Sequence, residues 1–153
     1  MTVCETKLSP EINLAMLGYT ITRRDRNKQG GGVLIICKSE INHYPLNVTT
    51  DSFESVGLKL KNEPSMYSVY APPKTKISTQ DLDKIFSTSA TVVAMGDLNS
   101  HHTSWGYYNN NANGNTLFKY SIDHPVIIAD PKKVTTRHYS KNSRDSIIDL
   151  ALI

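Results

Sequence analysis

Residues Val92 to His102 read VVAMGDLNSHH, an apolar run that passes directly into an acid, an amide and two imidazoles, with the chain's one tryptophan, Trp105, three residues on. A short continuous apolar run rich in β-branched residues is read as a buried strand, here Thr91 to Met95, and Gly96 to Ser100 as its exit. In sheet proteins polar ligand groups gather just beyond such strand ends, where loops rest on rigid supports. Asp97 there can hold a divalent metal or manage a proton, and Asn99 can turn its amide toward a phosphate oxygen or a water. The same residue types also favour plain turns, so the chemistry alone leaves both readings open.

Working outward, Gly32 to Cys37 is a second apolar run, entered through Gly30, Gly31 and Gly32 and predicted as a fully buried strand. Phe53, Val56, Leu58 and Leu60 mark a half-buried strand that alternates from Ser55 onward. Ser65 to Tyr70 is a strand that Pro72-Pro73 must close, leaving Tyr70 at its end. Ser78 to Phe86 carries Ser78 or Thr79 as an N-cap, Asp81 in the first turn, and Leu82, Ile85 and Phe86 on one face, which predicts a helix. A second helix is expected over Asn115 to Ile122, with strands at Val126 to Ala129 and Ser146 to Ile153. The asparagine-rich run Asn109 to Asn113 with Gly114 reads as a connection before that helix. Strands outnumber helices and the two recur along the chain, which indicates a layered α/β or α+β sandwich.

The length of 153 residues fits one domain with a packed core, and 39% hydrophobic with 20% charged residues excludes a disordered or collagen-like chain. A net charge of +3 is compatible with an acidic partner without requiring one. Cys4 and Cys37 border or occupy apolar segments and read as small buried residues, reduced and not joined in a disulfide. No apolar run approaches the roughly 20 residues that span a bilayer, and Met1 to Pro10 lacks the order of a signal peptide, so the expectation is an intracellular, soluble protein without a membrane partner.

Four segments in order carry a family resemblance: Cys4-Glu5-Thr6-Lys7-Leu8, Val69-Tyr70-Ala71-Pro72-Pro73, GDLNSHHTSWG from Gly96, and Ser146-Ile147-Ile148-Asp149-Leu150. Together they resemble the endonuclease/exonuclease/phosphatase superfamily. Arg23-Arg24-Asp25-Arg26 followed by GGGVLII extends the likeness to the apurinic-endonuclease-like domain of non-LTR retrotransposon polyproteins. The resemblance implies a four-layer sandwich, two central mixed sheets flanked by helices, over residues 1–153. It also leaves the family's first-strand asparagine and its C-terminal Ser-Asp-His segment without counterparts. The expectation is therefore a partial domain, incomplete at both terminal strands, with an exposed apolar edge that favours aggregation.

By this resemblance Glu5 matches the metal-binding glutamate, and Mg²⁺ or Mn²⁺ is the implied ion, a hard cation that takes one or two carboxylates and completes its shell with water and phosphate oxygens. Tyr70 matches the tyrosine facing the scissile phosphate, Asp97 the aspartate that activates the nucleophile or protonates the leaving group, and Asn99 the asparagine that orients phosphate and water. Asp149 matches a supporting aspartate; here it is either an acid in an apolar strand or one left partly solvated. Thr136, in Val134-Thr135-Thr136-Arg137-His138, resembles a substrate-side threonine but lacks the family's preceding proline. His101 and His102 belong to a loop motif and are expected to pack with Trp105 or touch nucleic acid. The basic stretches Arg23, Arg24, Arg26, Lys28 and Lys132, Lys133, Arg137, Lys141, Arg144 are candidate phosphate contacts as well as ordinary solvated loops.

The implied activity is Mg²⁺-dependent nicking of DNA by a retrotransposon endonuclease, with a linked reverse transcriptase domain and, if functional, a nuclear site of action. Two other readings remain: an inactive remnant that only binds nucleic acid, and a phosphatase of the same superfamily.

Overall fold

A computed structural model describes residues 1–26, 30–61, 64–130 and 149–153. The strands are β1 (Thr2–Cys4), β2 (Tyr19–Arg24), β3 (Val33–Lys38), β4 (His43–Leu46), β5 (Glu54–Leu60), β6 (Ser65–Tyr70), β7 (Val92–Asp97), β8 (Ile128–Ala129) and β9 (Asp149–Leu152). Two helices, α1 (Thr79–Phe86) and α2 (Ala112–Asp123), and a 3₁₀ turn at Thr103–Trp105 complete the described elements. The fold is α+β. One sheet is antiparallel in the order β1-β3-β2, and the other has six strands in the order β4-β5-β6-β7-β9-β8, parallel only between β6 and β7. Helix α1 makes the crossover that a parallel pair requires.

Period-two alternation divides the larger sheet. Tyr67 and Val69 of β6, Val92 and Ala94 of β7, and Leu150 and Leu152 of β9 join Leu82 and Ile85 of α1 and Leu117 and Tyr120 of α2 in one buried cluster. Both described helices thus cover the same face. The other face meets the smaller sheet: Ser68 donates its hydroxyl to the Val3 carbonyl at 3.2 Å, and Cys4 reaches the Val69 carbonyl at 3.2 Å. Among the described residues no helix covers the smaller sheet.

Strand β6 ends at Tyr70 as its prolines require. Helix α1 follows Ser78 as N-cap, though that hydroxyl caps no backbone N–H. Helix α2 begins three residues before the expected Asn115. Asn111 is its N-cap, accepting from Gly114 N–H at 2.7 Å, so part of the presumed connection is helix. Strands β1, β2 and β4 have little apolar patterning and escape a periodicity reading. In β4, Pro45 occupies a sheet edge, where a missing donor costs no ladder bond. The last strand is described from Asp149; Ser146, Ile147 and Ile148 lie outside the described residues, as do Lys28, Lys132, Lys133, Thr136, Arg137, Lys141 and Arg144. Cys4 and Cys37 are free thiols. No described helix is long and apolar enough to cross a membrane.

Asp81 fastens α1 to the loop before β5. Its side chain, 3% exposed, accepts from Asp51 N–H at 2.9 Å, Ser52 N–H at 2.7 Å and Ser52 Oγ at 2.8 Å, while Lys84 Nζ lies 2.7 Å away. Burial pushes this carboxyl up, but Lys84 and the Ser52 and Asp51 donors outweigh it and hold the group at about 2, below its ordinary 3.8. A depressed acid contributes stability that is full above its unfolded value and lost as pH falls through the folded one. Asp81→Asn is therefore expected to lower unfolding stability at pH 7 by about 2 kcal/mol, the difference closing as pH falls from about 4 toward 2; urea titrations across that range measure it.

Candidate active site

The pairing register puts four polar side chains on one line across the larger sheet. Glu54 of β5 is opposite Tyr70 of β6, Tyr70 is opposite Asp97 of β7, and Asp97 is opposite Asp149 of β9. Partners opposite each other share a face, and this row is on the face turned toward the smaller sheet. From that sheet, just past the end of β1, Glu5 accepts a hydrogen bond from the Tyr70 hydroxyl at 2.5 Å. Glu5 holds a left-handed backbone, φ 51°, where the chain leaves the strand.

Asp97 and Asn99 are locked to each other. Asn99 N–H donates to Asp97 Oδ1 at 2.8 Å, and Asn99 Nδ2 donates to the Ala71 carbonyl at 3.0 Å, tying the exits of β6 and β7 together. Asn99 adopts φ 44°, a left-handed conformation that asparagine tolerates better than most residues. Its carbonyl accepts from Asn111 Nδ2 at 2.8 Å, so the cap of α2 also positions the β7 exit. Near the end of β7, Gly96 permits a close approach to β6: it has φ 153°, and a Cβ there would overlap the Val69 carbonyl oxygen.

Charge in the row is unbalanced. Burial first, and then the negative charges of Asp149 and Glu5, push Asp97 up to about 6 against the opposing Asn99 hydrogen bond. Burial also raises the Tyr70 phenol, and the Glu5 hydrogen bond, Glu5, Asp97 and Glu54 add to this, so Tyr70 is a proton donor at neutral pH. Glu54 accepts from Gly32 N–H at 2.6 Å and pairs with Arg26 at 2.9 Å. Among the described residues no three histidine, cysteine or acidic groups are grouped closely enough to hold an ion between them. Mutually repelling carboxylates that do not form a closed cage fit a hard cation that takes one or two protein oxygens and leaves the rest of its shell to water and substrate.

Of the residues singled out from the sequence, Glu5, Tyr70, Asp97, Asn99 and Asp149 converge at this sheet end. Asp149 is exposed, which resolves its two sequence readings in favour of a solvated acid. Arg24 is exposed and lines a cleft with Arg26, Glu54 and Pro72. Arg23 is not presented in the same way: it donates to the Ile12 carbonyl at 2.8 Å and pairs with Asp25 at 3.1 Å, closing the loop that precedes β2. His102 takes the packing alternative of its two sequence readings. It is 7% exposed, accepts from Ser104 N–H through Nδ1 at 3.1 Å, and packs on Phe118 and Trp105 with ring centroids 4.3 and 4.9 Å away. Sequence reasoning missed Glu54; its signal was an acid immediately before the alternation that starts at Ser55, on the strand face shared with Val56 and Leu58.

Two packed sheets with acids, an asparagine and a tyrosine at one sheet end match the endonuclease/exonuclease/phosphatase class that the motifs resemble. Residues 65–153 match the family model described as endonuclease-reverse transcriptase, and the chain belongs to that family. Among solved structures, the endonuclease domain of TRAS1, a telomere-specific non-LTR retrotransposon, is similar with a TM-score of 0.72 over 90% of this chain and 67% of that one. At 15% identity the likeness is one of fold. No curated protein matches the chain.

Proposed function

We propose that the protein is a divalent-metal-dependent DNA endonuclease of a non-LTR retrotransposon, acting by hydrolysis of a phosphodiester bond next to a linked reverse transcriptase, in the nucleus. The observation that carries this reading is the Glu54–Tyr70–Asp97–Asp149 row with Glu5 closing over it, in a member of the endonuclease-reverse transcriptase family. Glu5 is the residue to hold Mg²⁺ or Mn²⁺, and such an ion would neutralise phosphate charge and lower the pKa of a bound water. Asp97, ionised above about pH 6, takes the proton of the attacking water. Asn99, fixed at both its backbone and its amide, orients that water and a phosphate oxygen. The Tyr70 phenol donates to the charge developing on the phosphate. Asp149 supports Asp97 electrostatically, and Arg24 meets the phosphates of the flanking strand; Thr136 is assigned a substrate contact by the resemblance alone.

The test is conversion of supercoiled plasmid to open circle at low salt with Mg²⁺, with and without chelator. Glu5→Gln is expected to lower the rate on the order of 10²-fold and to raise the Mg²⁺ concentration needed for half-maximal cutting. Salt-dependent DNA binding with no cutting in any divalent metal would instead identify a binding remnant. Release of inorganic phosphate from small phosphate esters without plasmid nicking would point to a phosphatase.

A further inference from the structure

Another cleft, of about 380 Å³, opens at the end of the larger sheet away from the catalytic row, where β7 begins and β9 ends. Asp83, Phe86, Tyr120, His124, Val126 and Ile153 are among the described residues that line it, and no lysine or arginine is. That volume is within the range of small-ligand sites. Both helices bring their C-terminal ends to it: α1 stops at Phe86, and His124 is the C-cap of α2. Helix C-termini carry partial negative charge and favour a cation. Lys84, the basic residue in the last turn of α1, is held by Asp51 and Asp81, and α2 has none in its last turn.

Asp83 concentrates this charge. Buried Tyr120 donates its hydroxyl to Asp83 Oδ1 at 2.8 Å, and the Asp83 side chain is nevertheless 56% exposed. Burial first, and then the Asp83 hydrogen bond, raise the Tyr120 phenol, so it stays a donor at neutral pH and keeps the carboxylate in place. Asp83 Oδ2 takes no hydrogen bond from the described residues. His124 lies on Tyr120, with ring centroids 4.1 Å apart and planes 17° from parallel, and its Nδ1 is 3.1 Å from the Tyr120 carbonyl oxygen. A neutral ring that donates from Nδ1 presents Nε2 as an acceptor, here 3.8 Å from Asp83 Oδ1. Two acceptors side by side match the planar N–H fork of a guanidinium better than the point charge of an ammonium.

We propose that this cleft receives an arginine side chain from a partner polypeptide, its guanidinium bridging Asp83 and His124 Nε2 and its methylene stem lying along Phe86. The rim fits a protein partner: Ile153 and its backbone partner Ile127 are 44% and 67% exposed, and Ile122 in the last turn of α2 is 67% exposed, apolar surface that a free cation would leave uncovered. The inference goes beyond the endonuclease reading and does not depend on it, since the cleft and the row share no residue.

The experiment measures, by fluorescence anisotropy at low salt, binding of the whole chain to a short labelled peptide with one arginine between two leucines. The same peptide with citrulline or lysine in place of arginine is the comparison. Arginine is expected to bind about tenfold tighter than citrulline, which keeps the shape without the charge, and several-fold tighter than lysine, which keeps the charge without the fork. Asp83→Asn, at an exposed position where the amide oxygen still accepts from Tyr120, is expected to erase both preferences with melting temperature and plasmid nicking unchanged. His124→Phe, which keeps a ring on Tyr120 and loses Nε2, should erase only the preference over lysine. The peptide comparison on the unaltered chain decides even where a variant unfolds. The acidic row is the competing arginine site: a preference that survives Asp83→Asn and is lost in Asp97→Asn puts the arginine there and overturns the cleft. Equal binding of the three peptides, or no binding of any at millimolar peptide, overturns it as well.

Discussion

Asp97→Asn is expected to abolish nicking while making the folded protein more stable. Removal of a general base costs on the order of 10² to 10⁴ in rate, and Glu54 of the same row is already engaged by Arg26 and Gly32. The stability gain follows from the same environment. Asp97 titrates at about 6 in the folded chain against an ordinary 3.8, so between those values the folded state keeps a proton that the unfolded state has lost. An acid raised in this way makes stability fall as pH rises through the window, and above it the ionised group costs about 2–3 kcal/mol. Asparagine carries no charge and keeps the oxygen that accepts from Asn99 N–H. At pH 8 the variant should melt several degrees higher, with the difference shrinking to nothing near pH 4. Mg²⁺ should raise the melting temperature of the unaltered chain more than that of the variant. Equal melting curves at pH 8 would remove the electrostatic account of the row; retained nicking would remove Asp97 from the proposed mechanism.

Gly114→Ala should have the largest effect on folding of any single methyl addition in α2. Helix propensity alone favours alanine over glycine by about 1 kcal/mol. Here the added Cβ would overlap the His101 carbonyl oxygen and crowd its carbonyl carbon, both backbone atoms that cannot swing away. The clash outweighs the propensity, and a net loss of about 3 kcal/mol or more is expected, readable as a drop in melting temperature of roughly 6–12 °C. Nicking should fall with it, since moving the start of α2 displaces Asn111 and through it the Asn99 carbonyl. Asn111→Ala separates the two contributions: it removes the link to Asn99 and the cap of α2 without adding volume, so its smaller stability loss should come with a comparable loss of cutting.

Much of the larger sheet was legible because its strands announce themselves by composition. The runs ending at Tyr70 and Met95 are rich in apolar and β-forming residues and are bounded by prolines or by a Gly-Asp-Leu-Asn turn, and β6 is buried on both faces while β7 is buried on the face toward the helices. Strands β1, β2 and β4 were not legible from periodicity: they lie at sheet edges and bury few side chains fully, so nothing in their pattern separates them from loops. Within the site, Asp97 and Asn99 stand out because they follow a buried strand. Glu54 does not, since only the cross-strand register reveals that it shares a line with Tyr70 and Asp97. His102 left two readings in the sequence, packing or nucleic-acid contact, and the fold uses it as a packing ring against Phe118 and Trp105.

The line of four residues across β5, β6, β7 and β9 also says how this protein can change and how it can fail. Each member holds its place by counting residues from its strand neighbours, so point substitutions elsewhere in the sheet leave the line intact even when they cost stability. A single inserted or deleted residue inside β6 or β7 is different: every side chain beyond it changes sides, Tyr70 or Asp97 turns toward the helices, and Val69 or Leu98 is brought against Glu5. Copies of such a sequence that accumulate substitutions would lose cutting gradually and could be repaired by further substitution. Copies with one length change in these strands would lose it in a single step, and only a compensating length change close by would restore it.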